Sequence, residues 1–188
     1  RHIDARRLQC ACQTPWRRRG LSMQSTSGEL TRDQIEALGQ ELKPSERILQ
    51  IIHLNLLLGA SVIVAIFYFQ NPRIGGNDAP VPWLFLIVAM LPVVPSFIVP
   101  ALMRASKTGS VEYATGQLAG IYQVSHIVGC AMLESGIIFS ALAFTAAAVV
   151  PKWFILVPGI LLLVLLLRFP LPGQLANWVV TQLESRRI

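Results

Sequence analysis

Charged residues are scarce in this sequence. Asp, Glu, Lys and Arg together make up 14% of its 188 residues, whereas a soluble domain usually carries about a quarter. Apolar residues make up 53% of the chain, and the mean hydropathy is +0.55. So few charges cannot cover a globule with polar surface. The composition therefore excludes an ordinary soluble domain and predicts a protein that is partly solvated by the lipid bilayer.

The sequence also lacks the residue arrangements that carry most enzyme and metal chemistry. It has no nucleophile elbow, phosphate-binding glycine loop, metalloprotease motif or pair of acid and base carboxylates. Its three cysteines, Cys10, Cys12 and Cys130, form neither an even disulfide set nor a CxxC pair. We therefore predict no catalytic residue, no metal site and no cofactor, and a protein that is not an enzyme.

Positive charge is present, but its position argues against nucleic acid as a partner. The net charge is +6, and nine of the sixteen Lys and Arg residues lie in residues 1–47. Most of the others flank apolar segments, and no basic face is interleaved with aromatic residues as nucleic-acid binding requires. This distribution is typical of the signal that orients a membrane protein. The expected partners are the lipid bilayer and either another membrane protein or further copies of this chain.

The first 29 residues predict a disordered N-terminal tail. Residues 1–22 contain no apolar run of the length that a secretory signal needs. We interpret Met23 as the physiological start, with residues 1–22 either outside the native protein or part of the tail.

A short amphipathic helix is predicted next, at residues 30–47 on the cytoplasmic side. Thr31 and Gln34 match the capping-box pattern of a helix N-terminus, and Pro44 is expected to end this helix or to start the next one. The apolar residues between them share one helical face: Ile35, Leu38 and Leu42.

The apolar segments that follow predict an all-α bundle of four transmembrane helices at residues 48–169. The four spans are 48–69, 81–103, 118–150 and 153–169. A helix of 22 residues reaches about 33 Å, enough to cross a hydrocarbon core of about 30 Å. The second span contains three prolines and should be kinked or partly unwound. Residues 173–188 predict an amphipathic helix beside the membrane.

The Lys and Arg residues also predict the orientation of the bundle. With both termini inside, the inner segments carry fourteen of these residues and the outer loops carry only Arg73 and Lys152. Because basic residues concentrate on the cytoplasmic side, we predict a multi-pass protein of the cell membrane with cytoplasmic N- and C-termini.

Polar side chains inside the predicted spans are the candidate functional residues. An ionised acid at the centre of a membrane helix is costly, about 2.5–3.5 kcal/mol for Asp on insertion scales, and Glu134 occupies such a position. His126, Cys130 and Glu134 recur every four residues and so share one helix face. The full candidate set is Glu134, His126, Cys130, Gln123, His53 and Asn55.

Two interpretations of this polar face are open. In the first, it handles protons or cations. A metal site is disfavoured because one helix cannot close a coordination shell, and only His53 and Asn55 of the first span are visible candidates to complete one. In the second, a protonated Glu134 hydrogen-bonds a neighbouring helix and Cys130 is a small packing residue. Small residues at four-residue spacing, which permit close helix approach, accompany the face at Ala131/Ser135 and Gly136/Ser140.

One stretch of the third span resembles a known family. Residues 123–144, with small residues, a central Glu and a Leu-Ala-Phe run, resemble the carboxylate-bearing helix of the proteolipid ring subunits of rotary ATP synthases. That resemblance implies a proton carrier at Glu134, although the preceding span is rich in proline where the family has a glycine-rich helix. As a whole, the chain resembles uncharacterised four-span bacterial inner-membrane proteins, which implies no activity.

The sequence therefore favours a non-catalytic accessory or scaffold component of the membrane. The first alternative is an oligomer that translocates protons or cations with Glu134 as the intramembrane carrier. The second alternative is an intramembrane enzyme that uses His126 and Glu134.

Overall fold

The computed structural model describes residues 31–70, 74–76, 80–108, 115–147 and 149–185. The predicted tail at 1–29 lies outside these residues, as do Arg73 and the last three residues of the predicted C-terminal helix. The described part of the chain is all-α, as predicted, apart from one pair of two-residue strands.

The first helix, α1, runs without interruption from Arg32 to Phe69. It begins where the capping pattern predicts, and the backbone N–H of Thr31 donates to Gln34 Oε1 at 3.0 Å. The separate helices predicted at 30–47 and 48–69 are therefore one helix, with Pro44 inside it. A proline removes one backbone donor without forcing a helix to end, and the flanking apolar stripes pack on the rest of the bundle.

The proline-rich second segment forms two helices. Helix α2 covers Trp83–Met90 and α3 covers Val93–Thr108, with a turn at Leu91 and Pro92 between them. Pro92 has no N–H to donate, so the helical ladder breaks there, while the Ser96 N–H resumes it by donating to the Pro92 carbonyl at 2.9 Å. The prolines thus produce the unwinding that their number predicts.

The third segment is the centre of the bundle. Helix α4 runs from Thr115 to Ala146, four residues short of the predicted end of 118–150. In the most apolar 18-residue stretch of α4, 50% is buried inside the bundle. The corresponding share is 17% in α1 and 17% in residues 83–106. The other helices therefore pack around α4.

Three helical stretches are long and apolar enough to cross a membrane: Arg32–Phe69, Trp83–Ser106 and Thr115–Ala146. The fourth predicted span is shorter. It consists of a 3-10 helix, Lys152–Ile155, continued by α5, Leu156–Leu167. At the usual rises of the two helix types this segment reaches about 26 Å.

A small parallel strand pair joins two loops at one end of the bundle. Strand β1, Ile74–Gly75, follows α1, and β2, Val150–Pro151, precedes the 3-10 helix. The end of α1 and the end of α4 are thereby brought to the same side, which makes successive membrane-length segments run in opposite directions.

Buried side chains form three successive layers along the bundle. The layer nearest the strands surrounds Phe144 and Phe154, and the middle layer surrounds Leu133 and Leu161. The third layer joins the first turns of α1 and α4 to a last helix, α6, Gln174–Glu184. Its members are Leu38, Leu42, Leu49, Leu118, Ala119, Tyr122, Leu175 and Val179.

Helix α6 packs on protein through the apolar face predicted for residues 173–188. Leu175 and Val179 are buried, and the Trp178 ring lies 5.4 Å from the ring of Tyr122 in α4. Part of the apolar face of α6, which would suit the headgroup region of a membrane, therefore packs against the third layer of the protein core.

Candidate functional site

Three of the predicted candidate residues meet between the middle and third layers of the core. His53 comes from α1, and His126 and Cys130 come from adjacent turns of α4. His53 Nδ1 lies 3.2 Å from His126 Nε2 and 3.4 Å from Cys130 Sγ. The three atoms all lie within 4.8 Å of one another. We call His53, His126 and Cys130 the polar cluster.

The polar cluster is enclosed by the bundle. His53 and Cys130 are buried at 1% and 0% exposure, and His126 is half-buried. His126 and Cys130 face α1 together because residues four apart lie on the same side of a helix. The sequence argues against a metal site because one helix cannot close a coordination shell, and the fold removes that objection by bringing His53 from a second helix.

Helix α5 fixes the protonation pattern of His53. His53 Nε2 lies 3.0 Å from the backbone carbonyl oxygen of Leu165. A carbonyl can only accept, so Nε2 carries the hydrogen and donates it. In a neutral imidazole the other nitrogen then has a free lone pair, and His53 Nδ1 directs this lone pair towards His126 and Cys130.

Sequence reasoning missed Arg168, which lies beside the polar cluster. Its guanidinium is centred 4.4 Å from the Phe97 ring, and its Nη1 is buried without a hydrogen-bond partner among the described residues. It interacts electrostatically with His53, His126 and Cys130. In the sequence, Arg168 follows an apolar segment and is recognised only as one of the basic residues that orient a membrane protein. No sequence signal predicts that it lies beside the polar cluster.

Gly129 makes room for the arginine. A Cβ on Gly129 would stand 2.8 Å from Pro100 Cγ and from the Ser96 carbonyl oxygen, and 3.1 Å from Arg168 Nη1. Helices α3 and α4 therefore approach each other closely here, and the guanidinium occupies the space next to the turn that carries Cys130.

Two other candidates lie away from the polar cluster. Gln123 Nε2 donates to the backbone carbonyl of Ser45 at 2.9 Å, which ties α4 to α1 near Pro44. Asn55 is exposed on α1, on the opposite side from the buried His53.

Glu134 is not among the three residues that meet in the polar cluster, although its carboxyl interacts electrostatically with Cys130 one turn away. It is half-buried, and no hydrogen bond or ion pair joins it to another residue in the described ranges. It lies beside the exposed stripe of α4, which includes Val124, Ala131 and Phe139. Of the two small-residue pairs, Gly136/Ser140 is buried inside the bundle, whereas Ala131/Ser135 lies on this outer side next to Glu134.

Comparison with known proteins gives no relative: no family model, no curated protein and no solved structure matches this chain.

Proposed function

We propose that this chain is a four-span, multi-pass protein of the cell inner membrane that serves as a non-catalytic component of a membrane complex. The observation that supports this role is the position of Glu134, a carboxyl in the middle of α4 with no partner among the described residues and access to the outer side of the helix.

An acid without a hydrogen-bond partner is costly in lipid. Ionisable residues inside membrane helices are rare and usually face a protein or an aqueous cavity. Glu134 is flanked by the small residues Ala131 and Ser135, on a side of α4 that the other helices leave uncovered. A helix from another membrane protein could approach closely there and accept or donate a hydrogen bond, which contributes on average about 0.6 kcal/mol in membrane proteins.

We also propose that the chain crosses the membrane four times. Lys152–Leu167 is taken as the fourth span, since about 26 Å of helix matches a hydrocarbon core of about 30 Å with slight thinning of the bilayer. With four spans both termini lie on one side, and the excess of Lys and Arg assigns that side to the cytoplasm.

A second function follows from the same carboxyl. In a ring of identical chains, Glu134 would face the next subunit and could carry a proton or cation, as its resemblance to the proteolipid helix implies. The enzyme alternative receives less support. His126 is bonded to His53 inside the bundle, whereas Glu134 lies eight residues further along α4, about 12 Å along the axis.

Copurification in mild detergent tests the proposal. We expect the wild-type protein to purify with another membrane protein in fixed stoichiometry. Glu134→Leu should retain the partner less well, by roughly 3-fold in affinity for a hydrogen bond of about 0.6 kcal/mol, and Glu134→Gln should retain it fully because the amide can still bond. Leu163→Met, at an exposed apolar position on α5, is the matched control and should keep the partner too.

Proton flux in liposomes separates the two functions. The accessory role predicts no flux through the wild-type protein. A self-assembled ring that conducts protons, with flux abolished in Glu134→Gln, would favour the carrier function instead. A partner that binds Glu134→Leu with the same affinity as the wild-type protein would show that Glu134 does not hold it.

A further inference from the structure

We propose that His53, His126 and Cys130 bind a monovalent soft metal ion, Cu⁺, in the interior of the helix bundle. This inference concerns the polar cluster alone and is independent of the role proposed for Glu134.

The spacing of the ligand atoms already suits a metal ion. With bonds of the lengths found at zinc sites, about 2.0–2.1 Å to nitrogen and about 2.3 Å to sulfur, tetrahedral or trigonal geometry separates the ligand atoms by roughly 3.3–3.8 Å. His53 Nδ1 lies 3.2 Å from His126 Nε2 and 3.4 Å from Cys130 Sγ. The third pair, His126 Nε2 and Cys130 Sγ, lies within 4.8 Å, so side-chain rotation has to draw only these two atoms together for all three to surround one ion.

An outer partner orients the central ligand as metal sites require. Histidine ligands nearly always donate their second ring N–H to a carbonyl, a carboxylate or water, which fixes the ring and makes the ligating nitrogen more basic. The Leu165 carbonyl accepts that hydrogen from His53 Nε2 at 3.0 Å. His53 Nδ1 is thereby held as a lone-pair donor in the centre of the polar cluster.

Charge selects the kind of ion. Binding breaks the S–H bond of Cys130, forms a sulfur–metal bond and releases one proton to solvent. The N–H hydrogen of His126 moves from Nε2 to Nδ1, so both imidazoles stay neutral. With Cu⁺ this exchange leaves the charge of the site unchanged, whereas a divalent ion adds one positive charge to a buried site.

The surroundings of the polar cluster penalise that extra charge. Arg168 interacts electrostatically with all three ligands and Arg104 with His126, whereas the Glu134 carboxyl acts only on Cys130 among them, so positive charge outweighs negative charge around the polar cluster. A positive guanidinium in a low-dielectric interior repels a cationic site and attracts the thiolate that metal binding would leave on Cys130. A thiolate is a soft ligand that selects Cu⁺ among the available ions, although it also accepts Zn²⁺.

Cu⁺ titration of the purified protein tests the inference. The reference protein is the full chain with Cys10→Ser and Cys12→Ser, so that Cys130 is its only thiol. Under anaerobic, reducing conditions and in competition with a chromophoric Cu⁺ chelator, we expect one bound Cu⁺ per chain. X-ray absorption of this complex should show one sulfur and two imidazole nitrogens around the ion, a readout that depends on no further variant.

Variants of the polar cluster complete the test. Cys130→Ser and His126→Gln should each weaken Cu⁺ binding more than about 100-fold, since even outer partners of a metal contribute 10–100-fold in affinity. The control, His2→Gln, removes the remaining histidine of the sequence and should bind as the reference does. Circular dichroism and gel filtration identify variants that remain folded.

Three results would overturn the proposal. They are the absence of stoichiometric Cu⁺, unchanged affinity in folded Cys130→Ser and His126→Gln, and a coordination shell without sulfur. Stoichiometric Zn²⁺ binding in the absence of Cu⁺ binding would overturn the choice of a monovalent ion.

Discussion

Glu46 of α1 caps the N-terminus of α6 through Leu175. Its Oε1 accepts the backbone N–H of Leu175 at 3.2 Å and that of Ala176 at 3.4 Å, and its Oε2 accepts the Gly173 N–H at 3.1 Å. The first N–H groups of a helix have no partner within it and carry a partial positive charge. A carboxylate 127 residues away in sequence satisfies them here, while Gly173 supplies the left-handed turn, φ +84°, that brings the chain into position.

Removing this cap should loosen α6 without unfolding the bundle. Glu46→Ala leaves three backbone donors without their acceptor, and loss of an N-cap typically costs about 0.5–2 kcal/mol. A loss of about 1 kcal/mol corresponds to roughly 5-fold faster exchange of the protected amides of α6. Hydrogen–deuterium exchange followed by mass spectrometry measures this change.

The control for the cap is Glu41→Ala, which removes another acid from an exposed position of α1. It should leave exchange in α6 unchanged. Equal exchange in Glu46→Ala and in the wild-type protein would mean that α6 is held by its apolar face alone.

The continuity of α1 across Pro44 gives a second prediction. Glu36 and Leu54 are both exposed on α1 and lie five helical turns apart. Spin labels on Glu36→Cys and Leu54→Cys, in a chain whose three natural cysteines are replaced by serine, should lie about 27 Å apart along a continuous helix.

The alternative geometry gives a clearly different distance. If Pro44 ended a surface helix that met the membrane span at a right angle, the same two positions would lie roughly 19 Å apart. Pulsed electron–electron double resonance in liposomes distinguishes the two distances, and a distance near the shorter value would contradict the continuous helix.

The sequence predicts the elements of this fold better than their contacts. Apolar length and proline position are local properties, so the all-α fold, the start of α1 and the break at Pro92 follow from them. The effect of Pro44 does not, because a proline is compatible both with a helix start and with a continuing helix. Packing against α4 and α6 decides between these outcomes, and packing is not local.

In the polar cluster, too, the sequence predicts local features but not the contacts between helices. The four-residue spacing of His126 and Cys130 predicts that they share a face. No periodicity predicts that His53 of α1 reaches that face, or that Arg168 adjoins it, because both contacts depend on how two further helices are placed around α4. Glu134, the most conspicuous residue of the sequence, lies outside the polar cluster, as Gln123 and Asn55 also do.

Close packing of α2 on α4 depends on Gly136, and this gives the third prediction. A Cβ on Gly136 would stand 2.5 Å from the Ala89 carbonyl oxygen and 3.2 Å from Pro92 Cγ. The nearest atom belongs to backbone and cannot rotate away, so Gly136→Ala must push α2 from α4. Overpacking of this kind typically costs about 1–3 kcal/mol, and thermal unfolding in detergent should show a lower midpoint.

Gly120 of the same helix supplies the matched control. A Cβ there meets nothing within 4 Å, so Gly120→Ala changes only the helix propensity, which favours Ala over Gly by up to about 1 kcal/mol. Its unfolding midpoint should equal or exceed that of the wild-type protein. Because the two substitutions are chemically identical and differ only in what surrounds them, opposite shifts would establish the α2–α4 contact, and equal shifts would contradict it.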